Sequence, residues 1–426
     1  MERTVGYREP KKRFLKSDHL AGSQAARPPY FASAFINQEG TPGVKADSIV
    51  FARRIVTLGA LCLCVAPALA QQTATARIVQ AANTFLSSLD AKQRQHVLYA
   101  FDDGEQRARW SNLPTAFVPR GGISLKEMTP EQRSAAMALV AAALSPRGFE
   151  KVQQIMEGDE VNKLTDRGPG AGNGLPPGGG GNAPPRPNLG NPPAQSNGPM
   201  RPPMGDGPIF GKDLYYISLL GTPSTQSPWM LQFGGHHLAL NITISGDRGV
   251  LTPTLTGAQP ALYETKGKTV RPLGQESDKA FAFLQSLDET QRKQAILGYR
   301  LADLVLGPGQ DGKTIVPEGL KGSAQTERQR ALLLDLMGEW AGIIHESAAA
   351  SRMIELKADL DETWFAWSGP VTVKPGSNIT AYYRIQGPHV VIEYAPQTLG
   401  GDPSMHVHTM YRDPTNDYGK KLTAAE

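Results

Sequence analysis

His406 and His408 stand one residue apart in the segment "SMHVHTMYRDPTNDYG", Ser404 to Gly419. In an extended chain, residues i and i+2 project from one face, so a β-strand here presents two imidazoles side by side. Such a pair is a common nucleus for a transition-metal site. A second source of imidazole is His236-His237 in "FGGHHLALN". Neighbouring strand residues face opposite ways, so only one of these is expected to join the pair. His237 is preferred, because with two β-hairpins set turn to turn it falls opposite His389. An oxygen ligand or general base could come from Asp413 or Asp417, just after His408, or from Glu393 on the strand after His389. Three histidines and one oxygen would suit zinc, iron, manganese or copper. Bonds of about 2.0–2.2 Å to one ion require ligand nitrogens roughly 3–3.5 Å apart. Arg412 would then stand at the rim, where a guanidinium holds carboxylate or phosphate. The plainer reading competes with this one, since Asp413-Pro414 is also a turn signal and histidines near turns often satisfy backbone groups.

The stretch "FDDGEQRARWSNLP" (Phe101 to Pro114) is the other place where chemistry could reside. Arg109 with Trp110 could bind an acidic or sugar-like ligand, but an ion pair under an aromatic cap is preferred. His96 and His345 fall on helical patterns and read as ordinary helix residues. No G-x-S-x-G elbow, H-E-x-x-H helix or paired C-x-x-C occurs, which counts against the common serine hydrolases and zincin proteases.

The elements that must position these residues are legible as a repeat. "FLSSLDAKQR" (Phe85 to Arg94) and "FLQSLDETQR" (Phe283 to Arg292) agree at seven of ten positions. Downstream, "TPEQR" (Thr129 to Arg133) answers to "TERQR" (Thr326 to Arg330). Two matched segments in one order point to an internal duplication. Asp90 with Gln93 and Asp288 with Gln291 form capping-box patterns, as do Thr129 with Gln132 and Thr326 with Gln329. These aspartates therefore read as helix caps, not catalytic groups. Each helical block precedes β-prone runs flanking Gly234-Gly235 in one copy and Gln386-Gly387-Pro388 in the other. The fold class is α+β: one large domain over 71–426, with halves at about 78–260 and 276–418, each a helical block followed by antiparallel strands. Between the first helical block and its strands, Arg167 to Pro208 is proline, glycine and asparagine with almost nothing to bury. It is expected to be a disordered insertion.

"FARRIVTLGALCLCVAPALA" has two arginines, an apolar run from Ile55 to Val65 and Ala68-Leu69-Ala70. That is a secretory signal over 50–70 with cleavage before Gln71, and its apolar run is too short for a membrane span. Residues 1–49 then read as an upstream extension, with Val50 the true start if its codon is GTG. Beyond Ala70 the chain carries 34 basic and 35 acidic residues, so there is no global electrostatic case for nucleic acid or an anionic membrane. Both cysteines, Cys62 and Cys64, lie in the signal, which leaves no disulfide, thiolate ligand or cysteine nucleophile.

The motifs "RxxWSNLP", "FGGHHLALN" and "HVHTMYRDPTNDYG", with the helical block before them, resemble a bacterial family of unknown function, DUF3500, over roughly Ile78 to Tyr418. The resemblance implies an exported bacterial protein with one large domain. It implies no activity, so no catalytic residue follows from it. The reading reached is a periplasmic or secreted metal-dependent enzyme, hydrolytic or oxidative. Its ligands are His237, His406 and His408, with His236 in reserve, and Asp413, Asp417 and Arg412 act beside the ion. The rival is a non-catalytic protein that binds a small ligand or cell-envelope fragment.

Overall fold

A computed structural model describes residues 73–165, 209–398 and 401–423. The expected signal segment, start site and proline/glycine-rich insertion lie outside the described residues. The first block comprises helices α1 (Ala74–Ser88), α2 (Ala91–Val97), α3 (Pro130–Ala143) and α4 (Pro146–Thr165). Strands β1 (Tyr216–Leu220), β2 (Trp229–Gly235), β3 (Leu238–Ser245) and β4 (Thr254–Ala258) follow. The second block comprises α5 (Gly274–Ser286), α6 (Glu289–Ala295), α7 (Glu327–Ala341) and α8 (Glu346–Ala358). It continues with β5 (Trp364–Ser368), β6 (Tyr382–Gly387), β7 (Val390–Pro396) and β8 (Val407–Arg412). The class is α+β.

The capping boxes form as the residue types dictate. Asp90 accepts from the Gln93 amide at 2.8 Å while the Gln93 side chain accepts from the Asp90 amide at 3.1 Å. Asp288 and Gln291 repeat this at the same two distances. Thr129 with Gln132 and Thr326 with Gln329 close the second box of each block. The paired glutamines then meet: Gln132 donates to Gln93, and Gln329 to Gln291, each at 2.8 Å. One cap thus pins the next helix, and each box contributes on the order of 1 kcal/mol.

The strands join in one twelve-stranded sheet whose long members run β1-β2-β3-β4-β8-β7-β6-β5. Each block supplies one side, and the seam is the antiparallel β4–β8 pair, where Thr256 faces Thr409. The helices cover one face. Phe85, Leu139 and Val140 pack under Leu231, Phe233 and Ile242 in the first block. Phe283, Leu333 and Trp340 pack under Phe365, Tyr383 and Ile392 in the second. Burying each such side chain stabilises by about 1.5–3 kcal/mol. Along β8, Val407 and Tyr411 enter the helix-side core, and Met410 joins Trp110, Ala239 and Leu255 on the other face. That other face is covered by chain from 100–122 and 297–319. Two buried groups hold the latter segment: Glu393 accepts the amides of Val305 and Leu306, and Arg412 donates to the carbonyls of Leu306 and Gly307.

Both hairpins turn two residues or less beyond the expected places, at His236-His237 and at Pro388-His389. Gly234 and Gly235 belong to β2 instead. A Cβ on Gly234 would lie 2.3 Å from the Leu238 carbonyl oxygen, so glycine serves close strand approach there, not the turn itself. Among the described residues, no helix is long and apolar enough to cross a membrane.

Candidate metal centre

Strand pairing decides which histidines meet. His408 lies opposite Gly257 on β4, and the Gly257 amide donates to the His237 carbonyl at 2.7 Å. The tip of the β2–β3 hairpin is thereby carried to the start of β8. His406 immediately precedes β8, and the Gln397 amide donates to its carbonyl at 2.7 Å, extending the β7 pairing by one residue. The result is a triangle of Nε2 atoms: His237 to His406 at 3.0 Å, His237 to His408 at 3.1 Å, and His406 to His408 at 3.1 Å. All three residues are buried, at 1%, 5% and 5% exposure.

Hydrogen bonds cannot close this triangle. An imidazole nitrogen carries either a proton or a lone pair, never both, so three mutual contacts admit at most one well-formed N–H···N bond. Protonation does not relieve it. Burial pushes His237 well below the ordinary imidazole pKa, and the neighbouring His236, His408 and His406 add to that. Burial also lowers His408, against the opposing pull of Asp303. Three buried imidazole nitrogens therefore converge on one point, an arrangement that a cation would resolve. Three imidazole nitrogens at this spacing could hold one cation between them.

The surroundings of each imidazole differ. His408 Nδ1 lies 3.6 Å from Asp303 Oδ1 and 3.3 Å from the Asn112 amide group. Asp303 is fixed in turn by the Leu304 amide at 2.7 Å and by Gln397 at 2.9 Å. A carboxylate behind a ligating imidazole is the usual outer partner. His237 has no such partner: its Nδ1 is buried without a hydrogen bond among the described residues. It sits in the turn with φ of 59°, a left-handed conformation uncommon outside glycine. Its ring lies 3.6 Å, centroid to centroid, from that of His236. His236 is not directed at the triangle by any bond; its Nδ1 pairs with the buried Asp159 at 2.8 Å. Tyr215 OH lies 2.9 Å from the other Asp159 oxygen and 2.8 Å from the His236 carbonyl. Burial raises the Asp159 pKa, with His236 opposing.

Several expected site residues have other work. Arg412 is 1% exposed and does not reach a rim. Besides the two carbonyls it holds, it pairs with Asp311 at 2.8 Å and Asp417 at 2.9 Å. Asp417 also accepts the Asp413 amide. Asp413 takes the Thr415 amide and hydroxyl on one oxygen and Arg352 on the other. Asp417 is thus engaged by a buried clamp through Arg412 that ties the chain after β8 to 306–311, and Asp413 by its own turn and by Arg352 of α8. Glu393 is engaged by two amides and Tyr382 OH. His389 is remote from the triangle and pairs with Asp359 at 2.6 Å. Trp110 is buried and donates to Tyr418 OH at 2.9 Å, with the Arg412 guanidinium 5.6 Å from its ring centroid. Arg109 is exposed. Trp110 thus covers Arg412, paired with Asp311 and Asp417, and not Arg109, the residue expected there.

Asp159, Asp303 and Asn112 were not visible as site residues in the sequence. Each lies far along the chain from the histidine it meets, and none belongs to a recognisable spacing. The nearest signal is Asn112, which falls within the "RxxWSNLP" motif. No curated protein and no solved structure matches the chain. The model of one family, "Protein of unknown function (DUF3500)", matches residues 71–420, and the chain belongs to that family.

Proposed function

We propose that the protein is an exported metal-dependent enzyme, hydrolytic or oxidative, that uses His237, His406 and His408 as ligands. The observation that carries this is the Nε2 triangle at 3.0–3.1 Å, buried and impossible to satisfy by hydrogen bonds. Imidazole donors suit zinc, copper, iron or nickel. A divalent ion held by three neutral donors keeps its full charge, so it would supply Lewis acidity and acidify bound water. The chain's own contribution is to hold three lone pairs convergent, to keep Asp303 behind His408, and to exclude bulk water from the ligand side. Elemental analysis of untagged protein tests the reading. About one equivalent of metal is expected; none, even after reconstitution, would sink it. Export is checked by mass spectrometry of the mature chain, which should begin at Gln71.

Burial also favours a second reading, in which the ion is held for binding without turnover, since the three ligands are no more than 5% exposed. Cobalt-substituted protein separates the two. An absorption spectrum that shifts on adding azide reveals an open position reachable from solvent, and an inert spectrum favours the second reading.

We also infer that the two blocks descend from one duplicated unit. The matched capping distances and the common order of four helices and four strands support this. Superposition of 74–258 on 274–412 should place Phe85 on Phe283 and Asp90 on Asp288; unrelated surroundings would refute it.

A further inference from the structure

An aspartate–histidine contact between a helix and a hairpin turn occurs twice in the molecule, with His236 the first residue of its turn and His389 the second. Asp159 stands thirteen residues after the first residue of α4, and Asp359 thirteen after the first residue of α8. Each bonds the Nδ1 of a histidine in the two-residue turn of a hairpin: Asp159 to His236 at 2.8 Å, Asp359 to His389 at 2.6 Å. Asp159 lies within α4, six residues before its end, and Asp359 caps the C-terminus of α8, so each contact ties a helix to a hairpin tip. The copies differ in one respect. In the second hairpin the turn is Pro388-His389, and its only histidine is consumed by the aspartate. In the first, His236 takes the aspartate and His237 is left for the triangle. Among the described residues, His389 belongs to no group of three that could hold an ion.

We infer that Asp159 is a positioning residue for the metal centre, acting through His236 to set the orientation of His237. The inference rests on the metal reading proposed above. Three observations carry it. His237 Nδ1 has no hydrogen-bond partner among the described residues, so nothing holds the ring from the side away from the triangle. Its ring instead packs against that of His236, with centroids 3.6 Å apart and the planes tilted by 33°. His236 is held at both ends, by Asp159 at Nδ1 and by Tyr215 OH at its carbonyl. The positive φ of His237, which His389 does not share, also needs the turn to be held from outside. Asp159 is 2% exposed and Tyr215 fully buried, so the support is rigid.

The duplicated contact provides its own control. Asp159→Ala and Asp359→Ala each remove one helix-to-hairpin bond, but only the first lies behind a ligand. Metal affinity should be measured by competition with a chromophoric chelator, using Zn(II) and Co(II), beside thermal unfolding in excess chelator. Asp159→Ala should weaken binding about tenfold to a hundredfold, the usual effect of losing an outer partner, and should alter the Co(II) absorption bands. Asp159→Asn keeps an oxygen that accepts from His236 and should recover most of the affinity. Asp359→Ala should lose stability while binding metal as wild type does. If Asp159→Ala does not fold, His236→Ala reads the same support from its other end. Wild-type affinity and spectrum in Asp159→Ala, or in His236→Ala, would overturn the inference, as would an equal loss of affinity in Asp359→Ala. Wild-type protein that binds no metal would overturn the metal reading itself, a separate outcome.

Discussion

Gly257 lies at the point where the metal centre is most exposed to a small steric change. It sits opposite His408 across the sheet seam and donates its amide to His237. A Cβ placed there would stand 2.9 Å from the Val407 carbonyl oxygen, 3.1 Å from His237 Cδ2 and 3.2 Å from His237 Cβ. Carbon pairs are comfortable at about 3.5–4.0 Å, so in Gly257→Ala the His237 ring must retreat by roughly 0.3–0.4 Å. Metal–ligand distances tolerate only about 0.2 Å. The ring cannot retreat freely, because His236 is packed on it. Metal affinity should therefore fall at least about tenfold, equivalent to about 1.4 kcal/mol, although no ligand has changed. Overpacking should also cost about 1–3 kcal/mol of stability. Chelator competition gives the affinity, and denaturant unfolding in excess chelator gives the stability. Gly298→Ala is the control, since its Cβ would meet nothing within 4 Å. A Gly257→Ala protein that binds metal as tightly as wild type would show that the triangle does not depend on the His237 ring position.

Metal at a hundred times its Kd should stabilise the wild type by about 2.7 kcal/mol, and this increment should vanish in His406→Ala and His408→Ala; an unchanged thermal shift in either variant would remove it from the ligand set. In excess chelator, stability should fall between pH 7 and 5.5 by about 1 kcal/mol for His237, with His408 adding in the same direction. The sign follows from folded-state pKa values depressed by burial: below the unfolded value near 6.5 the unfolded chain binds more protons. Urea midpoints that do not move over this range, or that rise, would contradict neutral buried imidazoles. Arg412→Ala should cost about 3–5 kcal/mol, because it leaves Asp417 buried and unpaired; a loss under 1 kcal/mol by denaturant titration would mean that the clamp is not structural.

The HxH pair is legible because strand periodicity fixes which side chains share a face, and His237 because the two hairpins can be set turn to turn. The capping boxes were legible because their partners lie three residues apart. Three features were not. The turn position was read from glycines, yet Gly234 and Gly235 are there for close strand contact and the turn falls on the histidines. Arg412, Asp413 and Asp417 were read as site groups because a clamp and an active site use the same residue types; burial alone separates them, and burial of a charge has no local signature. Asp159 and Asp303 reach their histidines only through the packing of α4 and of 297–319, a relation set by tertiary structure.

The centre combines several unfavourable local choices. His237 holds a left-handed backbone that costs on the order of 1 kcal/mol. Three imidazole nitrogens converge at 3.0–3.1 Å with at most one well-formed hydrogen bond among them. A protein under no pressure except stability has simple remedies, glycine at position 237 or an apolar residue at 408. The second hairpin shows that the fold does not require the strain: its turn carries the same aspartate contact, no positive φ and no triangle. Since the scaffold folds both ways, the first hairpin's arrangement needs a stabilising term that the second lacks. A cation between the imidazoles would supply it, because it would be held by all three nitrogens and offset the turn strain at the same time. The costs are local to the site and the compensation requires a bound ion, which is why the comparison between hairpins argues for a ligand and not for a packing accident.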